Sequence, residues 1–312
     1  MFNGMLNVYK EEGYTSHDVV AKLRGILHQK KIGHTGTLDP GAVGVLPVCL
    51  GKGTRLCELL ADKDKTYIAT ARLGVETDTQ DMSGKVLNTS NKHIVKEELE
   101  AAIASFLGDY EQIPPMYSAL KVHGRKLYEL AREGLTVERK PRTVQIYSIT
   151  LLEFDGENQS FTMEVQCSKG TYIRTLCHDI GQKLGCGGAM EKLIRTRVSG
   201  FSIDDALTLE QIAVLAENQQ IEQHIISIED MLPGIPAIAV SEHACKWLYN
   251  GNILKKSDID NKRYDFGKVF SSDDDMDVKV YDNQNRFIAL YHRQNNIFKP
   301  VKMFYSLQDF ME

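Results

Sequence analysis

The sequence predicts an α+β fold in which helices and strands are interspersed, followed by a small, mostly-β domain. Three observations support this class. Segments with apolar residues at helical spacing alternate with segments in which apolar and polar residues alternate. Turn sequences join some of the strand-like segments. A Pro-Gly-Ile-Pro linker at 233–236 precedes a change to short alternating segments, and 312 residues suffice for two domains.

Each element before the linker is predicted from its own pattern. Strands are predicted by alternation and β-branched residues at 5–9, 66–74, 144–154 and 160–167. The last two flank an Asp-Gly-Glu-Asn turn, so they are expected to pair. Helices are predicted by apolar residues three and four positions apart at 15–27, 96–106, 124–134, 171–184 and 209–216. Polar or glycine-rich composition predicts a loop with a short buried part at 31–53 and turns at 76–84.

The linker predicts two domains, residues 1–232 and 233–312. After it, the sequence predicts a short helix and then a series of short alternating segments. The helix is expected at 243–249, the alternating segments at 268–270, 278–281, 287–291 and 297–301, and a turn at 282–285.

Composition places the chain among ordinary globular proteins, with 42% hydrophobic and 25% charged residues. No apolar run of 18 residues occurs and the N-terminus lacks a signal-peptide pattern, so a cytosolic protein without membrane contact is expected. Six dispersed cysteines without a CxxC pair indicate reduced thiols. The spacing of Cys177, His178 and Cys186 fits no usual zinc pattern, so no metal site is predicted.

The charge distribution is uneven. A net charge of −5 gives no hint of nucleic acid by itself. Yet residues 21–66 hold eight Lys or Arg against four Asp or Glu, 116–146 hold seven against three, and 165–200 hold six against two. Acidic residues concentrate elsewhere, as at 271–277. A basic face for RNA is compatible with the acidic total, although solvated helix faces would give similar counts.

The segment 33–51 holds five glycines and two prolines, which fix an unusual backbone path. Asp39 lies in its middle, immediately before Pro40. A carboxylate on such a rigid loop can act as a nucleophile or general base, or it can simply cap a turn. The glycine spacing matches neither common nucleotide-binding motif, which excludes a triphosphate site.

Residues 33–56, GHTGTLDPGAVGVLPVCLGKGTRL, resemble the catalytic motif of bacterial tRNA pseudouridine-55 synthases, the TruB family. Further blocks resemble the family in the same order. Gly53 and Arg55 depart from the family's usual Ala and Lys. The resemblance covers about residues 3–215 and is much weaker beyond them. The matching blocks are KTY at 65–67, IPPMYSALKVHG at 113–124, YELAR at 128–132 and CSKGTYIRTL at 167–176.

The resemblance implies a pseudouridine synthase fold: a mixed, mainly antiparallel sheet with flanking helices and a PUA-like C-terminal domain. It implies an RNA-gripping insertion at about 109–142. The implied activity is isomerisation of uridine to pseudouridine at position 55 in the T-loop of tRNA, after base flipping. It implies no cofactor, no metal and no obligate protein partner, and a monomer that binds the tRNA T-arm.

The resemblance also implies roles for individual residues. Asp39 matches the nucleophile that attacks the target nucleotide at ribose C1′ or through a glycal route, and Arg174 matches the arginine that pairs with it and keeps it ionised. Tyr67 matches the tyrosine that stacks on the flipped base and helps to remove the C5 proton. Without the motif, Tyr67 would read as a core residue and Arg174 as a surface residue.

Residues that bind the substrate are implied in the same way. The basic members of the insertion coincide with one of the basic windows and would grip the T-arm. The implied pocket residues are His34, which stacks to hold the RNA open or else only caps its loop, Tyr172, and Leu193, which is placed by spacing. The implied T-arm residues are Lys121, Arg125, Lys126, Arg132, Arg139, Lys140 and Arg142.

Three other functions stay open. A guide-RNA-dependent relative that modifies ribosomal RNA is disfavoured by the bacterial-type insertion. An RNA-folding chaperone, in which binding matters more than catalysis, is compatible with the same sequence. A catalytically inactive homologue is disfavoured because Asp39, Tyr67 and Arg174 are all present.

Overall fold

The computed structural model describes residues 1–61, 64–122, 124–271 and 274–310. His123 of the insertion motif and Ser272 and Asp273 of the acidic segment lie outside these ranges. Helices and strands are interspersed within them. The helices are α1 Ser16–Ile26, α2 Cys57–Ala61, α3 Lys96–Ala104, α4 Leu127–Arg132, α5 Ile173–Lys183, α6 Leu209–Glu217, α7 Cys245–Tyr249 and α8 Phe266–Phe270.

The described strands form a large sheet, a smaller C-terminal sheet and two short hairpins. The large sheet and the hairpins use β1 Gly4–Lys10, β2 Ile32–His34, β3 Val43–Leu50, β4 Lys65–Leu73, β5 Val75–Thr77, β6 Val86–Thr89, β7 Gly108–Gln112, β8 Lys121–Val122, β9 Arg125–Lys126, β10 Arg142–Asp155, β11 Ser160–Cys167, β12 Gly188–Val198 and β13 Phe201–Ser202. The smaller sheet uses β14 Ala237–Ala239, β15 Leu254–Lys255, β16 Met276–Tyr281, β17 Phe287–Gln294 and β18 Ile297–Met303.

The large sheet runs in the order β1-β3-β12-β4-β11-β10-β7, with β2 paired to β3 and β13 to β12. Its pairs are antiparallel except β3 with β12, which is parallel. The predicted hairpin is present as β10 and β11. The predicted class is therefore confirmed: a mixed, mainly antiparallel sheet with flanking helices and a C-terminal β domain.

Two helical layers cover this sheet, each through an apolar stripe. The stripe of α1 buries Val19 and Leu23 with Leu6 of β1 and Ile212 of α6 in one cluster. The predicted cap of α1 is also present, because the Thr15 hydroxyl accepts from the Asp18 backbone N–H while the Asp18 carboxylate accepts from that of Thr15. Helices α3 and α5 cover the other half of the sheet through a separate cluster.

The predicted loop at 31–53 was wrong in part, because it contains β2 and β3. The run Val43–Leu50 is almost continuously apolar and is buried along most of its length. Such a run is typical of a strand covered on both faces, and it lacks the alternation that marks a half-exposed strand. Pro47 has no N–H to donate, but its carbonyl accepts from the backbone of Thr35 at 3.2 Å.

Two other predictions differ from the structure. The segment 268–270, expected to be strand-like, belongs to helix α8, in which the rings of Phe266 and Phe270 pack one turn apart in a tilted arrangement with centroids 4.6 Å from each other. The helix expected at 124–134 is shorter, because β8 and β9 form a hairpin before α4 begins. In both cases packing within a few residues decides the local structure.

The C-terminal sheet packs directly against the large sheet. Met5 of β1 and Leu56 share one buried cluster with Met231, Phe287 and Phe304. The cluster is continuous from β1 and the 3₁₀ turn after β3 to strand β17 and the chain after β18. The two sheets therefore share an apolar interface in place of an exposed tether.

Polar contacts support the same interface. Arg55 donates to the main-chain carbonyl of Met303, and Lys302 lies 3.6 Å from the Glu58 carboxylate. The Lys52 ammonium lies 4.5 Å from the centre of the Tyr305 ring. The segment that follows β3 thus holds the small sheet in place.

No helix within the described ranges is long and apolar enough to cross a bilayer. All six cysteines are free thiols, and four of them are buried. Among the described residues, no three His, Cys, Asp or Glu side chains are placed to share a metal ion.

Candidate active site

The loop between β2 and β3 presents Asp39, whose side chain is 43% exposed. Neighbouring residues anchor the loop on both sides of the carboxylate. Leu38 donates its N–H to the buried hydroxyl of Ser16 at 2.9 Å, and Gly13 donates to the carbonyl of Pro40 at 2.9 Å. Asp39 is therefore held on a fixed backbone while its carboxylate faces solvent.

A buried lysine holds the C-terminal limb of this loop. Lys10 of β1 donates from Nζ to the carbonyls of Ala42 at 2.6 Å, Glu11 at 3.0 Å and Pro40 at 3.2 Å. Burial lowers the pKa of Lys10 to about 8, although the nearby charge of Asp39 acts in the opposite direction. Two of its three bonds reach loop carbonyls within three residues of Asp39.

Arg174, from the first turn of α5, contacts the Asp39 carboxylate directly. Its Nε lies 3.1 Å from Asp39 Oδ2, and the residue is only 7% exposed. The other nitrogens donate to the carbonyls of Tyr117 at 2.9 Å and Thr79 at 3.2 Å. The structure thus brings together the aspartate and the arginine that the family resemblance pairs.

Sequence reasoning missed a second carboxylate at the same guanidinium. Asp81 Oδ2 lies 3.4 Å from Nη1 of Arg174, and its side chain is largely buried. Asp81 Oδ1 accepts from the Ser83 backbone at 3.0 Å and the Thr79 hydroxyl at 2.8 Å. The only signal was a cluster of turn-forming residues at 76–84, which predicted turns and no site.

A cluster of buried apolar side chains lies beside the loop. Tyr67 of β4 and Leu193 of β12 are buried in the same cluster as Leu38 from the loop itself. Leu193 is the register partner of Ala69, two residues from Tyr67 on the same face of β4. Burial raises the pKa of Tyr67, and the positive charge of Arg195 lowers it to a smaller extent.

Two further predicted pocket residues lie at the ends of elements. Tyr172 precedes α5, and its backbone exchanges two hydrogen bonds with the Gln112 amide, at 2.8 and 2.9 Å. Burial raises the pKa of Tyr172. His34 ends β2, and its buried Nδ1 has no hydrogen-bond partner among the described residues. Burial lowers the pKa of His34, which favours the neutral ring.

The seven predicted RNA-gripping residues all follow β7 in the chain, and five of them are exposed, whereas Lys126 and Arg139 are half-buried. Lys121 is in β8, and Arg125 of β9 pairs with Glu133. Arg132 of α4 lies over the Tyr128 ring, 5.4 Å from its centre. The last of them, Arg142, begins β10 opposite Gln112, the residue that holds the Tyr172 backbone.

The whole fold is similar to chains of two solved complexes. A chain from the archaeal box H/ACA sRNP Nop10-Cbf5 complex has a TM-score of 0.71 and 25% identity, covering 99% of this chain and 88% of that one. A chain from a Cbf5-Nop10-Gar1 complex also has a TM-score of 0.71, with 26% identity, 98% of this chain and 86% of that one covered.

Sequence comparisons give the family. The model of the TruB family pseudouridylate synthase N-terminal domain matches residues 24–173, and that of the tRNA pseudouridylate synthase B C-terminal domain matches 174–233. The tRNA pseudouridine synthase B of Lachnoclostridium phytofermentans is 48% identical, with 97% of this chain and 99% of the relative covered. That of Staphylococcus aureus is 44% identical, with 97% and 100% covered. With family models over two thirds of its length and relatives this similar, the chain belongs to the TruB family of pseudouridylate synthases.

Proposed function

We propose that this chain isomerises uridine to pseudouridine at position 55 in the T-loop of tRNA, in the cytosol and as a monomer without an obligate partner protein. Membership of the family and relatives named tRNA pseudouridine synthase B support a tRNA substrate. The observation that carries the proposal is the Asp39 carboxylate, exposed to solvent yet 3.1 Å from a buried arginine. Buried apolar side chains, among them Tyr67 and Leu193, adjoin the loop that carries it.

In the proposed reaction Asp39 is the nucleophile. Its carboxylate attacks ribose C1′, or opens a glycal route, and the N-glycosidic bond breaks as the electron pair leaves with uracil. The uracil turns, C5 bonds to C1′ as the carboxylate is released, the C5 proton is lost to a base and N1 takes up a proton, so that the product is an isomer of the substrate. Arg174 would hold the carboxylate in place for attack, because its Nε lies 3.1 Å from Asp39 Oδ2 in a charge-assisted contact.

The pocket residues would receive the everted base. A nucleotide in a folded T-arm must leave its stack before an enzyme can reach C1′. Tyr67 would stack on the base, Leu193 and Tyr172 would line the pocket, and His34 would fill the space left in the RNA. Aromatic stacking contributes about 1–3 kcal/mol per base.

The insertion would hold the rest of the T-arm. Lys121, Arg125, Arg132 and Arg142 are exposed, on elements that follow β7 and end beside Tyr172. Phosphate contacts from such side chains position an RNA without reading its sequence. Their number predicts that tRNA affinity falls as salt rises.

The test is release of tritium from tRNA transcripts labelled at uridine C5. We expect release from wild type, none when the T-loop uridine is replaced, and a loss of about 10³-fold or more in Asp39→Asn. Asp205→Asn, an exposed carboxylate after β13, is the matched control and should behave as wild type. Wild type that binds tRNA tightly but releases no tritium would contradict the proposal.

The same variant separates catalysis from a role in tRNA folding. If binding also helps tRNA to fold, Asp39→Asn should still accelerate the refolding of a denatured transcript, because the basic insertion is intact. A refolding rate that is the same with and without protein would exclude that additional role.

A further inference from the structure

Arg195 is a cation that the proposed reaction does not use. It lies in β12 and is 1% exposed, which makes it one of the largest fully buried side chains in the described chain. No carboxylate among the described residues lies within ion-pair distance of its guanidinium. Burying a cation without a counter-ion costs free energy, so packing alone does not explain an arginine here.

The guanidinium bonds to the loop that carries Asp39 and to strand β3, which follows that loop. Nε donates to the Val45 carbonyl at 2.7 Å, and Nη1 donates to the Thr37 carbonyl at 3.4 Å. These carbonyls lie on opposite sides of Asp39 in the chain. Arg195 Nη2 is buried and has no hydrogen-bond partner among the described residues.

The main chain of Arg195 also lies close to strand β3, because a Cβ at Gly44, whose φ is +108°, would lie 2.2 Å from the Arg195 carbonyl oxygen. Gly36 of the loop lies next to the guanidinium, and a Cβ there would be in ordinary contact with Nη1 at 3.8 Å. On the next strand Tyr67 is the register partner of Arg195, so the two side chains lie on one face of the sheet.

We propose that Arg195 is a positioning residue, which fixes the Asp39 carboxylate relative to the Tyr67 ring across the pocket for the target base. The planar fork of arginine binds the two carbonyls through separate nitrogens, Nε and Nη1, and so fixes them relative to each other. This inference rests on the proposed function, since it gives Asp39 and Tyr67 the roles stated there.

The test uses Arg195→Met and Arg195→Lys, with single-turnover rate and tRNA affinity measured separately. We expect Arg195→Met to lower the rate about 10–100-fold with less than about a threefold change in Kd, because misplacement of reacting groups affects the chemical step. Arg195→Lys should lose less. Arg72→Met, on β4 and paired with Glu191 at 3.3 Å, is the exposed control with an unchanged rate.

The two variants separate the fork from packing alone. Arg195→Lys keeps the positive charge and the long side chain but has a single donor nitrogen, so its rate should lie between those of wild type and Arg195→Met. A folded Arg195→Met with the rate of wild type would overturn the proposal. If that variant does not fold, a wild-type rate in Arg195→Lys overturns the role of the fork.

A crystal structure of Arg195→Met, or of Arg195→Lys if the first does not fold, gives a result independent of activity. We expect the contact between Asp39 Oδ2 and Arg174 Nε to lengthen well beyond 3.1 Å. An unchanged contact would overturn the positioning role even if the enzyme is active. A different result would count against the proposed function alone: the wild-type protein has no synthase activity, yet Asp39 is displaced in the crystal structure of the variant.

Discussion

Arg174 joins two carboxylates through one buried guanidinium. Its Nε contacts Asp39 and its Nη1 contacts Asp81, while main-chain carbonyls take the remaining donors. An arginine side chain held at three nitrogens has little freedom to rotate. Asp81 therefore determines where Arg174 points, and through it the orientation of the proposed nucleophile.

Asp81→Asn should reduce the rate of tritium release about 10–100-fold without a comparable loss of tRNA binding. The amide removes the charge that fixes Nη1, so Arg174 can turn away from Asp39. Initial rates at saturating tRNA, together with filter binding, check this. A fully active Asp81→Asn would show that the main-chain carbonyls alone orient Arg174.

Lys10 predicts a specific pH dependence of stability. Its pKa is about 8 in the folded chain and 10.5 when unfolded, so between these values the unfolded chain binds more protons. The free energy of unfolding should therefore rise with pH in wild type relative to Lys10→Met across this window. Urea unfolding of both proteins at pH 7.5, 9 and 10 measures the difference, which would stay constant if Lys10 were not perturbed.

Motifs predict residues whose chemistry depends on their neighbours in sequence. Asp39, Tyr67 and Arg174 are predicted in this way, and the structure places the first and last in contact. Asp81 and Arg195 are not, because their contacts join segments distant in sequence. Asp81 resembles a turn residue, and Arg195 resembles any charge on a strand.

Strand β12 is a whole element that the sequence patterns do not predict. It has 11 residues and carries Leu193 and Arg195, yet no strand is predicted at 188–198. Register shifts after Met190 and after Arg195 interrupt the alternation of apolar and polar residues. Strands with regular alternation, such as β4, are predicted almost to the residue.

The approach of β3 to β12 requires glycine at position 44. Gly44→Ala should destabilise the protein by about 1–3 kcal/mol, because the backbone has positive φ and the new methyl group would meet the Arg195 carbonyl. Gly41→Ala is the control in the same loop, since a Cβ there has no heavy atom within 4 Å. Urea denaturation compares the two, and equal midpoints would contradict the prediction.

The departures from the family pattern have structural explanations in the turn after β3. A Cβ at Gly53 would lie 2.3 Å from the Gly4 carbonyl, so the alanine common in the family would need the first strand to shift. Arg55 keeps the expected charge and donates to the Met303 carbonyl of the small sheet. Sequence identifies such departures, but only the fold shows what they contact.

At the scale of the whole molecule, the large sheet and the C-terminal sheet meet in a shared apolar interface. We propose the domain boundary at 232/233, just before β14, although Met231 and Leu232 belong to the shared cluster. Such a buried apolar interface couples the stability of the parts on either side. The sequence predicted the small C-terminal β domain correctly, but contacts across the interface leave no periodic signal, and the linker stays a prediction.

Phe304→Ala should lower the free energy of unfolding by about 3–5 kcal/mol, and the chain should still unfold in a single transition. Phe304 is 1% exposed at the centre of the shared cluster, whereas Leu307 is half exposed and provides the control Leu307→Ala. Thermal unfolding followed by calorimetry and by tRNA binding tests both statements. Two separate transitions in wild type would contradict a common interface.

Strand β3 has the loop of Asp39 at one end and the segment that grips the small sheet at the other. The eight residues of this extended strand therefore separate the loop of the proposed nucleophile from the contacts with the small sheet. Its main-chain amides should exchange with deuterium only when the whole protein opens. If the small sheet separates from the large sheet, the amides of Val48 and Leu50 should then exchange faster. Their exchange rates would therefore measure whether the small sheet is still docked.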